Sequence, residues 1–276
     1  MTLAIIGLGL MGGSLALTMK RESYIKKIIG YDHNREHTAQ AMELSLVDTI
    51  GTFEDVKSAD IIILAIPVDG LIATLHKLKD IPSTTTIIDL GSTKEKIVNS
   101  VPQEIRKNFV AAHPMTGTEN FGPKAAIEGL YEDKVVVLCN LEESGVHQAD
   151  VAKKLFTSLK MRQTFMQAKE HDRHAAFISH MPHAISYSIA NAVMKQENKH
   201  NILALAAGGY RSMSRLAKSS PSMWEDIFRQ NKSNLLEAIT VFEEELTQLK
   251  SAIERDDWES VHKEMLDANK LHDILD

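Results

Sequence analysis

Residues 3–12 read Leu3-Ala4-Ile5-Ile6-Gly7-Leu8-Gly9-Leu10-Met11-Gly12, an apolar strand that runs into spaced glycines, and a helical pattern follows at once. Each glycine has a physical role. Gly7 makes the tight turn, Gly9 lets a pyrophosphate approach the backbone, and Gly12 lets the helix lie close to the strand. The free N–H groups at the helix start, and its positive dipole end, then suit phosphates. A second apolar strand, KIIGYD, ends at Asp32, twenty residues after Gly12. A carboxylate at that strand tip accepts the ribose hydroxyls of an adenosine and repels a 2′-phosphate, so NAD is favoured over NADP. His33 and Arg35 lie close enough in sequence to offset part of that repulsion. Asp32 also suits the N-cap of the helix that follows, and the two roles are compatible. The cofactor site expected is therefore Gly7, Leu8, Gly9, Leu10, Met11, Gly12 and Asp32, together with Pro67 after a third strand.

Outward from this motif, the first half of the chain alternates short β-branched runs with amphipathic stretches. The further runs are DIIILAI, TIIDLG ending at Gly91, NFVAAH ending at His113, and KVVVLCN from Lys134. Helical patterns lie around residues 11–21, 35–44, 69–79 and 93–100. This is the pattern of βαβ units around a mostly parallel sheet, an α/β fold of the Rossmann-type, doubly wound kind. From residue 168 the β runs stop and the chain reads as helix. The expectation is a dinucleotide-binding domain at 1–167 and an all-helical domain at 168–276 for substrate binding and dimerisation. Pro182 falls inside the long apolar stretch from His171 to Val193, which predicts a kink near Ile178 to Met181. Ile227, Leu235, Ile239, Phe242, Leu246, Leu249 and Ile253 form a helical stripe, and Asp256 followed by Glu259 suggests the N-cap of the last helix.

Composition narrows the class. The 276 residues carry 31 basic and 37 acidic side chains, with 43% hydrophobic residues, which excludes a largely disordered chain. A net charge of -6 argues against a general nucleic-acid binder, which needs a basic face. The acidic excess sits at the end: 14 acids and 6 bases fall between Glu225 and Asp276, whereas Asn198 to Trp224 holds Lys199, Arg211, Arg215 and Lys218 with no acid. Cys139 is the single cysteine and reads as a small buried hydrophobe. The first nineteen residues are uncharged, but they lack a basic leader and contain four glycines. Neither a signal peptide nor a membrane span is expected, and the location expected is cytoplasmic.

Four polar stretches carry the chemistry: Gly91-Ser92-Thr93-Lys94, the run from His113 to Glu119 (HPMTGTE), Ser179-His180-Met181-Pro182-His183, and the run from Gly208 to Arg215 (GGYRSMSR). In a doubly wound sheet, ligands bind at the carboxyl ends of the strands, where Ser92 and His113 fall. A histidine there suits acid–base work because its pKa lies near neutrality. In content and order, these motifs resemble the prephenate dehydrogenase family with its arogenate-using relatives, over most of the chain from the glycine motif to about Lys232. The resemblance implies NAD-dependent oxidative decarboxylation of prephenate to 4-hydroxyphenylpyruvate in tyrosine biosynthesis. The arogenate reaction, giving tyrosine directly, stands as the alternative.

By the same resemblance, His113 is the catalytic group that accepts the hydroxyl proton, and Ser92 lies between nicotinamide and substrate and keeps them in line. His183 and Arg215 bind substrate, Arg215 through a carboxylate suited to its planar fork of donors, and Glu119 closes the polar network. The chain departs from the family pattern in one place. Where relatives often carry an acid and a threonine, it reads Arg211-Ser212-Met213-Ser214-Arg215, so Arg211 loses a partner and has no assigned role. A β-hydroxyacid-type dehydrogenase is less favoured, because no lysine stands in a matching apolar helix. A non-catalytic nucleotide sensor has no use for His113, Ser92, His183 and Arg215 together. No metal is expected; His171 and His174 read as solvated residues at a helix start, and Trp224 as a core or interface residue. The partners expected are a small substrate with two carboxylates and a second copy of the chain, bound through the C-terminal helices, and neither nucleic acid nor membrane. With the chain filled by two domains, any feedback is expected to act at the substrate pocket.

Overall fold

The computed structural model describes residues 1–275. They divide into two compact units, Met1–Asn231 and a second that begins at Lys232. The first is built on an eight-stranded sheet in the order β3-β2-β1-β4-β5-β6-β7-β8. Its strands are β1 (Thr2–Ile6), β2 (Lys27–Tyr31), β3 (Thr49–Ile50), β4 (Ile61–Leu64), β5 (Thr86–Asp89), β6 (Phe109–Pro114), β7 (Val135–Cys139) and β8 (Arg162–Met166). Strands β1 to β6 are parallel. Strand β7 runs antiparallel to β6, and β8 parallel to β7. Chain order reverses between β1 and β4, which opens a crevice at their carboxyl ends. The fold is thus Rossmann-type α/β with a helical C-terminal region, as the βαβ pattern implies.

The strand runs are apolar on both sides because helices cover both faces. Leu3, Ile5, Ile61 and Ile63 point into one core with Leu15, Phe156 and Tyr131. Ala4, Ile6, Ile62 and Leu64 point into the other with Leu71, Leu75 and Ile97. Each such side chain, fully buried, contributes roughly 1.5–3 kcal/mol. The first core is covered by α1 (Leu10–Met19) and α6 (Val146–Ser158), and the second by α3 (Phe53–Lys57), α4 (Val68–Lys77) and α5 (Glu95–Asn99). Cys139 is buried in the second core, and that burial pushes its thiol up to about 12. Two strands lie outside the β-branched runs: β3 has two residues, and β8 (RQTFM) is a half-exposed polar edge.

After β8 the chain is helical. Helix α7 (Ala168–Ala175) continues through a π-helical turn, Ala176–His180, into α8 (Met181–Met194). In that turn the Met181 N–H donates to the carbonyl of Ala176, five residues back. The wider turn falls where the Pro182 ring would clash with the preceding turn of an α-helix, and it overlaps the span from Ile178 to Met181 predicted to kink. Helices α9 (Lys199–Ala204), α10 (Gly208–Ser214) and α11 (Pro221–Gln230) complete the unit.

The second unit comprises α12 (Lys232–Glu254), α13 (Trp258–Asn269) and α14 (His272–Leu275). The α13 cap differs from expectation. Asp257 is the N-cap, accepting from the Ser260 N–H at 3.1 Å, while Asp256 takes a left-handed conformation with φ 54°. A one-residue shift makes Asp256 the turn that reverses the chain after α12. Leu235 is buried on α12, but Leu246 and Ile253 of the same stripe are exposed.

Candidate active site

The glycine turn is set by contacts that leave no room for a side chain. A Cβ on Gly12 would lie 2.0 Å from the Gly7 carbonyl oxygen, and one on Gly7, at φ +95°, would lie 2.3 Å from that of Ala65. The Leu8 side chain is fully buried, while its N–H donates to Asp32 Oδ2 at 3.0 Å. Asp32 therefore ties the tip of β2 to the glycine turn. Its other oxygen accepts from the Asn34 N–H at 2.9 Å. The N-cap of α2 (Arg35–Glu43) is Asn34, which accepts from Glu36 and His37, so the capping role considered for Asp32 belongs to its neighbour. His37 and His33 lie 3.4 and 3.5 Å from the Asp32 carboxylate. Leu10 and Met11 open α1, the Met11 carbonyl accepting from the Tyr131 hydroxyl at 2.7 Å, and Pro67 stands exposed before α4.

At the carboxyl ends of β5 and β6 lies a dense polar network. Asp89 closes β5, and Lys94, fully buried, donates from Nζ to Asp89 Oδ1 and, at 2.7 Å, to the carbonyl of Ala112. Burial pushes the Asp89 carboxyl up, against the opposing pull of Lys94. Ser92 sits half-buried in the loop between them. His113, half-buried near the end of β6, has Nδ1 2.8 Å from Nε2 of His171, and His171 Nδ1 lies 2.8 Å from Asp172 Oδ1. The Asp172 carboxylate also accepts from the backbone N–H groups of Lys94 at 2.7 Å and Glu95 at 2.9 Å. Burial first, then the neighbouring His171, Lys94 and His180, hold the His113 imidazole well below the ordinary histidine range.

His171 is thus a correction: it is buried at 2% exposure, whereas His174 is exposed as expected. The charged surroundings of His171 in KEHDRH read as solvated, yet a signal was present. Ala168, His171, Asp172, Ala175 and Ala176 are all buried, and their spacing of i, i+3, i+4, i+7 and i+8 is that of an inward helix stripe. Lys94, Asp172, His180 and Asn231 were likewise not singled out as site residues. Asn231 donates from Nδ2 to the Asp172 carbonyl at 2.6 Å and lies 3.0 Å from His180 Nδ1. Burial pushes His180 down to about 4.

The residues expected to bind substrate form a second group. His183 donates from Nδ1 to the Ser179 carbonyl at 2.9 Å, which leaves Nε2 free of that bond, and its ring stacks on Trp224 at 3.4 Å. Trp224 also meets His180 edge-on at 6.0 Å, linking the two groups. Arg215 lies 3.9 Å from Glu119, both partly exposed. Arg211 is exposed and donates to the Ala206 carbonyl at 3.1 Å. The loop that carries Glu119 returns to the glycine motif, where the Ile127 N–H donates to Ser14 Oγ at 2.8 Å.

A Rossmann sheet with a glycine-rich first turn and an acid at the tip of its second strand defines the dinucleotide-dependent dehydrogenase class. Comparison with known proteins narrows it. Residues 15–164 match the family described as "Prephenate dehydrogenase, nucleotide-binding domain", and residues 167–267 match "Prephenate dehydrogenase, dimerization domain". The chain belongs to the prephenate dehydrogenase family. It is 32% identical to a prephenate dehydrogenase of Bacillus subtilis over 99% of this chain and 76% of that one. A prephenate dehydrogenase of A. aeolicus, solved in complex with hydroxyphenyl propionate and NAD+, superposes with TM-score 0.92 at 30% identity, covering 100% and 98% of the two chains. Synechocystis arogenate dehydrogenase superposes with TM-score 0.83 at 26% identity and full coverage of both. Among the described residues no helix is long and apolar enough to cross a membrane.

Proposed function

We propose that the protein catalyses the NAD-dependent oxidative decarboxylation of prephenate to 4-hydroxyphenylpyruvate, a step of tyrosine biosynthesis in the cytoplasm. The observation that carries this reading is the placement of His113, wired to His171, at the carboxyl end of the sheet whose first turn is the glycine motif. Bound NAD supplies the hydride acceptor. Gly7 to Gly12 would hold its pyrophosphate, a fit supported by the open space over Gly9, where a Cβ would meet nothing nearer than the Gly122 nitrogen at 3.9 Å, and Asp32 would take the adenosine ribose. Pro67, exposed at the start of α4 just after β4, would border the same cofactor.

His113 accepts the hydroxyl proton as the hydride departs, and Ser92 aligns the hydroxyl. Arg215 and His183 receive the two carboxylates, with Glu119 holding Arg215 until substrate arrives. Arogenate differs from prephenate only in carrying an amino group for the side-chain keto group, and the likeness to an arogenate dehydrogenase favours it as a second substrate. Residues 1–167 serve the cofactor and 168–276 the substrate and a homodimer contact. The dimer is supported by exposed apolar side chains on the C-terminal helices, Leu246, Ile253, Met265 and Leu266 among them.

The test is the initial rate of NADH or NADPH formation by purified protein with prephenate and with arogenate, each with NAD and with NADP. Turnover of prephenate with NAD is expected to be the fastest of the four, and absence of turnover with all four sinks the reading. Arg215→Ala is expected to raise the prephenate KM by roughly 10–100-fold, the loss of one charge-assisted pair, with a smaller change in kcat. An unchanged KM would remove Arg215 from the substrate site.

A further inference from the structure

The network behind His113 has a polarity that can be followed atom by atom. The backbone N–H groups of Lys94 and Glu95 only donate, so the Asp172 carboxylate that meets them is an acceptor at both oxygens. The ring nitrogen facing Asp172 Oδ1, His171 Nδ1, therefore carries the proton of that ring. With the His171 ring neutral, its Nε2 is the acceptor, and its 2.8 Å partner, His113 Nδ1, carries a proton as well. We propose that His171 and Asp172 are positioning residues that fix His113 as the Nδ1–H tautomer and so leave its Nε2 bare to take the substrate proton.

This inference rests on the reading of His113 as proton acceptor and adds what makes it one. A neutral imidazole has one bare nitrogen, and free histidine favours the proton on Nε2, the wrong side for accepting one from substrate. Burial strengthens the arrangement: His171 and Asp172 are 2% and 3% exposed, so little water competes for their bonds. The titratable groups that act on His113 are His171 from α7, Lys94 from the start of α5 and His180 from the π turn, with Asp172 behind His171 and Asp89 behind Lys94. Of these, the Asp172 carboxylate is the anion in line with the ring.

The proton balance of the reaction gives that anion a use. The hydroxyl proton would pass to His113 Nε2 as the carbinol carbon gives up its hydride and the C–O bond gains double-bond character, bound NAD being what would supply the hydride acceptor. The bond to the ring carboxylate then breaks, carbon dioxide departs, and its electron pair completes the aromatic ring. The phenolic oxygen takes its proton back from Nε2, so none is consumed. His113 is an imidazolium only between the two transfers, and during that interval its Nδ1–H stays on His171, with Asp172 behind. The pair holds the charge without carrying the proton away.

The experiment uses the full chain labelled with 15N-histidine. Long-range 1H–15N spectra of the unliganded wild type should show His113 as the Nδ1–H tautomer, and a His113 signal with the proton on Nε2 overturns the proposal without need of substrate. His171→Leu removes the acceptor, while Asp172 keeps its two backbone donors. Its His113 signal should move toward Nε2–H, and kcat should fall roughly 100-fold, with the prephenate KM and NAD affinity within about threefold of wild type. His171→Gln can donate to Asp172 and accept from His113, and it should recover about tenfold of that loss. Wild-type kcat in a folded His171→Leu overturns the proposal, as does equal loss in the Leu and Gln variants. If the protein turns over neither prephenate nor arogenate, the functional reading fails, and the wild-type tautomer still decides this one.

Discussion

His113→Asn is expected to lower kcat by roughly 10²–10⁴-fold, the usual worth of a positioned acid–base group, while NAD affinity and the prephenate KM change by less than about threefold. Asparagine keeps a polar side chain of similar reach but has no nitrogen able to accept the hydroxyl proton. The effect should therefore fall on the transition state and leave ground-state binding. Steady-state kinetics and NAD titration of the purified variant check this, and equal losses in binding and turnover would contradict the role. The pH profile supplies a second reading. The neutral ring is the active form, and burial with its charged neighbours holds the His113 pKa well below the usual 6.5. Activity should thus be flat through neutrality and fall on acidification only below that value. A limb centred at or above 6.5 would place the proton acceptor elsewhere.

Lys94→Met is expected to cost about 3–5 kcal/mol of stability, the range for removing one partner of a buried pair. Methionine matches much of the lysine stem, so packing loss is small. What remains is Asp89 at 0% exposure with only the Gly91 N–H, 2.8 Å away, on its Oδ1. In the variant, the folded state binds a proton on Asp89 more tightly than the unfolded chain does. Stability is then gained as pH falls, and the deficit should shrink in mild acid. Urea unfolding at two pH values measures both effects. Adding Asp89→Asn to the same chain should recover more than about 1 kcal/mol, because a neutral amide is less costly to bury. A single variant within about 1 kcal/mol of wild type would mean that water reaches the pair.

Much of the sheet was legible in the residues because a strand covered on both faces must be apolar at every position. LAIIG and the IIIL of DIIILAI meet that demand and became β1 and β4, and TIID became β5 with its polar ends, Thr86 and Asp89, buried as well. Strand β8 escaped because an edge strand with one half-exposed face need not be apolar, and RQTFM is not. Among site residues, the glycine motif and His113 stood out through local spacing. Lys94, His171 and Asp172 did not, because their meaning lies in partners far along the chain: Lys94 reaches the carbonyl of Ala112, and His171 meets His113 across 58 residues. A lysine at a helix start and a histidine among charges look solvated until the fold closes over them. The helix-cap shifts, from Asp32 to Asn34 and from Asp256 to Asp257, show how a chain reversal can move a cap by a residue or two.

The π turn between α7 and α8 also sets an angular phase. An α-helix advances about 100° per residue, and a π turn holds one residue more than the α-helical turn it replaces. Everything beyond Ala176–His180 is therefore rotated by about a third of a turn relative to an unbroken helix. His171 and His183 sit on opposite sides of that offset. One of them serves the acid–base network, and the other is stacked on Trp224 in the substrate group. In evolutionary terms, a change that let the same residues wind as an unbroken α-helix would turn His183 by that third of a turn, whereas deleting one of Phe177, Ile178 and Ser179 would close the turn and leave His183 facing as it does. The winding of that turn, and not only the identity of its residues, belongs to the definition of the site.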